Sequence, residues 1–152
     1  MIRVLFVCHG NICRSTMAEF VMKELVRQRG LAGEFYIASA ATSREEIGND
    51  IHWGTKEKLR EQGIPFTKRK AVQITRDDYD AYDYIIGFDR ENDYEIRRIC
   101  GSDTEGKVYS LLSFAGIDRE VADPWYTGNF NKTYEDVDLG CRALLDHILS
   151  QR

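Results

Sequence analysis

Short apolar runs alternate along the chain with longer stretches of helical periodicity. Val4-Leu5-Phe6-Val7 is a continuous apolar run, the pattern of a strand buried on both faces. Ala18, Val21, Met22, Leu25 and Val26 then recur at helical spacing up to about Arg29, and Gly30 supplies the stop. Residues 35–40 read as a second strand, and the order strand, helix, strand implies a right-handed parallel crossover. Residues 41–50 are polar with one glycine, so they form a loop leaving the second strand at the sheet edge where the first strand also ends. In open parallel sheets that edge holds the ligand site.

Helical spacing resumes over residues 52–62 and stops at Gly63, followed by the basic run Lys68-Arg69-Lys70. Such a run is ordinarily a solvated face; steering of acidic phosphoprotein surfaces is the alternative. Thr75 with Asp78 three residues on resembles a capping box that opens a short helix. A third strand is predicted over 84–88, a helix over 89–99 and a fourth strand over 107–112. A closing helix over 134–151 turns Val137, Cys141, Leu144, Leu145 and Ile148 inward. The elements sum to an α/β three-layer sandwich, a four-stranded parallel sheet flanked by helices, with a phosphate-binding loop after the first strand.

Length changes this picture little: 152 residues make one domain, spanning 1–152, that buries a sufficient core without staples. The 21 basic and 25 acidic residues give a net charge of −4, which argues against a general nucleic-acid binder and leaves room for a local positive pocket. No run approaches membrane-spanning length and no signal peptide is legible, so no membrane partner and a cytoplasmic location are predicted. Cys8, Cys13, Cys100 and Cys141 lack zinc spacing and are too scattered for a secreted disulfide framework. No metal set emerges, no cofactor is called for, and a monomer is the expected state.

The chemistry concentrates in Val7-Cys8-His9-Gly10-Asn11-Ile12-Cys13-Arg14-Ser15, a strand-to-helix turn whose amides can converge on an anion. A nest of N–H groups, backed by a helix start and an arginine, favours a dianionic phosphate and favours the thiolate of Cys8. Arg14 then grips two phosphoryl oxygens while the sulfur faces phosphorus. Gly10 and Asn11 supply tolerance for positive φ, and Ser15 supplies a helix cap. A nucleotide-binding glycine loop is the rival reading, but no Gly-Lys-Ser/Thr ending and no dinucleotide glycine spacing is present. His9 sits beside Cys8 in a turn whose side chains point outward, which disfavours a general-base role. His52 and His147 lie on predicted helices, where surface or packing roles are the default.

The Val-Cys-x-Gly-Asn-Ile-Cys-Arg-Ser turn resembles the signature of the low-molecular-weight protein tyrosine phosphatases, and Ala122-Asp123-Pro124-Trp125-Tyr126 resembles the loop that carries that family's general acid. Ser39-Ala40-Ala41-Thr42-Ser43 with Ile47-Gly48-Asn49 is similar to its substrate-facing loop. The resemblance implies hydrolysis of phosphotyrosine and small aryl phosphates, with Cys8 as nucleophile, Arg14 as phosphate clamp and Asp123 as general acid and then base. Asp123 must be protonated in the first step and ionised in the second, which predicts a bell-shaped pH profile.

By the same resemblance His9, Gly10, Asn11, Ile12, Cys13 and Ser15 cradle phosphate, Asn11 through side-chain hydrogen bonds that lock the turn, and Ser15 through a bond to the sulfur. Trp125 and Tyr126 wall the pocket for a phenyl ring, and Cys13 can form a protective disulfide with Cys8. Implied partners are phosphotyrosine proteins or peptides, with phosphate, sulfate or vanadate in the loop. Ile12 matches tyrosine-directed members, whereas phosphoarginine-directed relatives carry threonine there. Glu45 replaces a frequent aromatic, Thr127 is an extra residue, and Lys68 or Arg69 stands where some members have a histidine that supports the turn. A thioredoxin-coupled arsenate reductase, a phosphoarginine phosphatase and a non-catalytic phosphate-binding module are the alternatives.

Overall fold

The structure, a computed structural model, describes residues 1–152. Strand β1 (Ile2–Cys8) runs parallel to β2 (Phe35–Ala41) over its whole length, from Ile2 opposite Phe35 to Cys8 opposite Ala41. On its other side β1 pairs with β3 (Tyr84–Gly87), and β3 with β4 (Val108–Ser110), giving a parallel sheet of order β2-β1-β3-β4. The continuous apolar run in β1 follows from this central place. Val4 and Phe6 pack with α1 (Arg14–Gln28) and α6 (Phe130–Ser150), whereas Leu5 and Val7 face α3 (Arg76–Ala81) and α4 (Arg90–Cys100) through Tyr79, Ile96 and Cys100. Full burial of one such side chain contributes roughly 1.5–3 kcal/mol. Helix α2 (Trp53–Glu61) leans on both α1 and α6.

Two boundaries differ from the sequence reading. The fourth strand is only three residues long, because Leu111 and Leu112 enter a 3₁₀ turn (Leu111–Ala115) that buries both in the core shared with α6. An extended strand sends neighbours to opposite faces. The turn presses on α6 at Gly140, where an added Cβ would lie 2.4 Å from Leu111. Helix α6 starts at Phe130 rather than 134, since Asn129 accepts a hydrogen bond from the Lys132 amide at 3.0 Å and caps a first turn that has no apolar stripe. The predicted Thr75 and Asp78 start is present: the Asp78 carboxylate accepts from the Thr75 amide at 2.8 Å. A short helix α5 (Pro124–Thr127), absent from the sequence reading, has Pro124 at its first position. No helix is long and apolar enough to cross a membrane.

Candidate active site

The ends of β1 and β2 deliver the β1–α1 loop and the 42–50 loop to one sheet edge. Within the β1–α1 loop the carbonyls are drawn outward: Cys8 O accepts from Thr42 N at 2.9 Å, His9 O from Ser43 N at 3.0 Å, Ile12 O from His52 N at 2.9 Å and Cys13 O from Met17 N at 3.0 Å. The amides of residues 9–13 donate to no backbone carbonyl. Five successive donors are thus left without an internal partner, as an anion nest requires. Asn11 carries the only non-glycine positive φ in the chain, 60°. Gly10 does not share that conformation; its bare backbone instead lets the Glu46 side chain approach, where a Cβ would meet Glu46 Cγ at 3.3 Å.

Ser15 is not the cap. Helix α1 begins at Arg14, Cys13 stands at the N-cap position with no side-chain bond, and Ser15 turns inward to lie 3.1 Å from Cys8 Sγ. Its hydroxyl oxygen accepts from Asn11 Nδ2 at 2.8 Å. As a thiol, Cys8 donates to that oxygen; once ionised, the sulfur accepts the hydroxyl proton that Asn11 leaves free.

Asn11 is itself oriented. Its Oδ1 accepts from Arg69 Nη2 at 2.8 Å and from the Val72 amide at 3.2 Å, so Nδ2 must face Ser15 and Ser39. Arg69 also pairs with Glu19 and Ser39 behind the loop. It is therefore not part of a solvated basic face, and it occupies the supporting place for which the sequence left Lys68 and Arg69 as candidates.

Arg14 is 2% exposed. Its Nη1 is spent on Asp89 Oδ2 at 2.8 Å and the Val121 carbonyl at 2.9 Å. Nε has no partner, and Nη2 only approaches Asp123 Oδ2 at 3.4 Å. The Nε–Nη2 edge is left as a two-pronged fork, the shape that matches two phosphoryl oxygens. Burial opposes its charge, but the negative charges at Cys8, Asp123 and Asp89 outweigh that and raise its pKa further.

Asp123 caps α5, with Oδ1 accepting from the Trp125 amide at 3.0 Å. Cys8, His9, Gly10, Ile12, Cys13, Glu45, Glu46, Asp123, Trp125 and Tyr126 line one cleft. Trp125 and Tyr126 are 55% and 82% exposed, an open aromatic wall rather than core. His9 turns to the rim, with Nε2 2.9 Å from Glu45. Thr127 ends α5 and its hydroxyl accepts from the Asn129 amide at 3.0 Å. Burial, reinforced by the charges at Cys8 and Asp123, pushes the Cys13 thiol far above the ordinary range. A larger cleft beside β2, lined by Lys23, Tyr36, Arg69 and Tyr82, holds neither cysteine nor histidine. No group of three or more His, Cys, Asp or Glu side chains converges at metal-binding distance.

Of the residues the sequence singles out, Cys8, His9, Gly10, Ile12, Cys13, Asp123, Trp125 and Tyr126 line this cleft, while Asn11, Arg14 and Ser15 are buried behind it. The sequence reading missed Arg69 as an internal cation, and it missed His52, which caps α2 and stacks among aromatic rings beside Trp125. The one available signal for His52 was its place just before a helical stretch.

Fold and cleft define a class: parallel α/β proteins whose strand-to-helix anion loop presents a cysteine and an arginine opposite a carboxylate. Comparison with known proteins narrows this. Residues 3–152 match the model of the low molecular weight phosphotyrosine protein phosphatases, and the chain belongs to that family. It is 40% identical over 154 residues to the low molecular weight protein-tyrosine-phosphatase YfkJ of Bacillus subtilis, covering 100% of this chain and 99% of that protein. The YfkJ crystal structure is similar at TM-score 0.95 and 41% identity, over 100% of this chain and 97% of that one. SP-PTP from Streptococcus pyogenes follows the same course at TM-score 0.87 and 40% identity, over 97% and 93% of the two chains. DARP, a Drosophila arginine phosphatase, is similar at TM-score 0.88 and 30% identity, over 97% and 98%.

Proposed function

We propose that this chain hydrolyses phosphotyrosine, and small aryl phosphates, through a cysteinyl-phosphate intermediate. One observation supports the reading: the loop that carries Cys8 has five amides that donate to no backbone carbonyl, and Arg14 at its end keeps Nε unpartnered and Nη2 only 3.4 Å from Asp123 on the facing loop. In the first step the Cys8 sulfur attacks phosphorus, the P–O bond to the phenol breaks, and Asp123 delivers its proton to the departing oxygen. In the second step Asp123 takes a proton from water as its oxygen attacks phosphorus. The S–P bond breaks, the Ser15 hydroxyl donates to the departing sulfur, and phosphate leaves. The Arg14 fork and the amides hold the equatorial oxygens in both transition states.

The open wall of Trp125 and Tyr126 suits a phenyl ring set back from the loop, which favours phosphotyrosine over the shorter phosphoserine. DARP shares the fold, so fold alone does not separate phosphotyrosine from phosphoarginine; Ile12 in the cleft supports the former. Cys100 packs at the end of α4 on the opposite face of the sheet from Cys8, and burial raises its pKa to about 11, which gives no support to a disulfide relay. Four free thiols agree with a reducing, cytoplasmic setting. The test is hydrolysis of phosphotyrosine, phosphoserine and phosphoarginine peptides of one sequence, with Cys8→Ser as control. Preference for phosphotyrosine, lost in the control, is expected; preference for either other peptide overturns the assignment.

Cys13 lines the same cleft as Cys8 and remains a thiol at neutral pH. It is therefore not a second nucleophile; its proposed role is to condense with a Cys8 sulfenic acid formed by peroxide, releasing water and giving a reducible disulfide. Cys13→Ser is expected to lose most of the thiol-recoverable activity after peroxide; recovery equal to the wild type contradicts the role.

A further inference from the structure

We propose that His52 is a positioning residue whose ring couples the anion loop to the acid-bearing loop and sets the aim of Asp123. The inference rests on Asp123 being the general acid. His52 is tied to the anion loop by its own backbone, whose N–H donates to the Ile12 carbonyl at 2.9 Å. Its Nδ1 accepts from the Gly54 amide at 3.0 Å, which caps α2 and assigns the proton of the neutral ring to Nε2.

The ring is held in an aromatic cluster. It stacks on Phe130, with centroids 5.3 Å apart and planes at 18°, and on Trp53, at 5.5 Å and 29°, and those two rings meet each other at 6.5 Å. Phe130 reaches this position because residue 54 is glycine; a Cβ there would lie 2.4 Å from the Phe130 ring. Trp125 then meets the imidazole in a T-shaped contact at 5.5 Å and 78°. Aromatic pairs of this geometry contribute beyond their buried area.

Trp125 is otherwise half exposed, on a four-residue helix. Its indole is held by the His52 ring, its amide holds Asp123 Oδ1, and Oδ2 is thereby turned toward Arg14. His52 is not among the residues lining the cleft, so it acts through Trp125 and does not meet substrate.

The test compares kcat/KM, which reports the first chemical step, on two substrates. Phenyl phosphate needs a proton on its leaving oxygen, whereas dinitrophenyl phosphate releases a stable anion. Asp123→Asn is expected to lose about 10²–10³-fold more on the first than on the second. His52→Asn keeps an oxygen acceptor for the Gly54 amide but removes the ring; its excess loss on phenyl phosphate is expected to be roughly tenfold, the scale of a misplaced catalytic group. His52→Phe keeps the ring and should lose less than His52→Asn.

Equal losses on both substrates in His52→Asn, no loss on either, or a His52→Phe enzyme as selective in its defect as His52→Asn overturns the proposal. If His52→Asn does not fold, Phe130→Leu opens one face of the same stack and carries the same expectation; equal losses there are equally contrary. Absence of leaving-group dependence in Asp123→Asn instead removes the acid assignment, and this inference with it.

Discussion

The anion loop and the segment around α5 face each other across one cleft, yet they are held in different ways. Residues 11–15 are buried, the carbonyls of Cys8, His9, Ile12 and Cys13 are tied to Thr42, Ser43, His52 and Met17, and the one strained residue, Asn11, is fixed through both ends of its amide. Around α5 the aromatic side chains lie half exposed or more, and Asp123 is held by one amide and a long approach to Arg14. The difference follows the tasks. Binding charge that develops on fixed oxygens needs donors that do not reorganise. In the proposed reaction, delivering a proton to leaving groups of varied size needs a carboxyl aimed from an open rim.

If the anion loop is the over-determined half, its chemistry should fail without loss of fold. Cys8→Ser is expected to lower turnover of an aryl phosphate by about 10⁴-fold or more while leaving the far-ultraviolet circular dichroism unchanged. Arg14→Lys replaces a fork by a point charge and should cost about 10²–10³ in kcat/KM, more than the weakening of phosphate as an inhibitor. Equal changes in the two would mean that Arg14 serves ground-state binding alone.

The support behind the loop should register as stability. Arg69→Met leaves Lys23 as the one cation on buried Glu19 and takes the Nη2 donor from Asn11 Oδ1, and a loss of about 2 kcal/mol in denaturant unfolding is expected. An unchanged midpoint would remove Arg69 from the account of loop rigidity. The smallest effect concerns Asp50, which backs the 42–50 loop. Burial works against its charge, but Lys56 and the amides of Arg69 and Ile51 overcome it and hold its pKa at about 2. A carboxyl depressed in the fold adds stability above its unfolded pKa, about 4, and that contribution is lost as pH falls toward 2. Asp50→Asn should therefore melt slightly below the wild type at neutral pH, and the gap should close in acid. A gap that persists in acid would assign the effect to packing.

The two regions were also unequally legible. The anion loop lies in one contiguous stretch between a run that reads as a strand and a stripe that reads as a helix, so its position and its chemistry are local properties. Asp123 was visible because Asp-Pro-aromatic-aromatic is a short motif, although α5 is too short to leave a periodic signature. Arg69 looked like part of a surface run because Lys68 and Lys70 flank it; only the fold shows that Glu19 and Ser39, 50 and 30 residues away in sequence, enclose it. His52 was invisible for the same reason, since its meaning comes from Phe130 and Trp125, which the chain reaches much later. Of the two parts expected of Ser15, the bond to the sulfur is present and the cap is not, because the N-cap falls two residues earlier, at Cys13.

The central claim is that a sulfur at the floor of the amide nest takes the phosphoryl group. Mass spectrometry of protease digests from enzyme quenched in acid during turnover of an aryl phosphate tests it most directly. The account predicts a phosphoryl adduct on the peptide that contains Cys8, absent in Cys8→Ser; an adduct on another residue, or turnover that persists in Cys8→Ser, contradicts it.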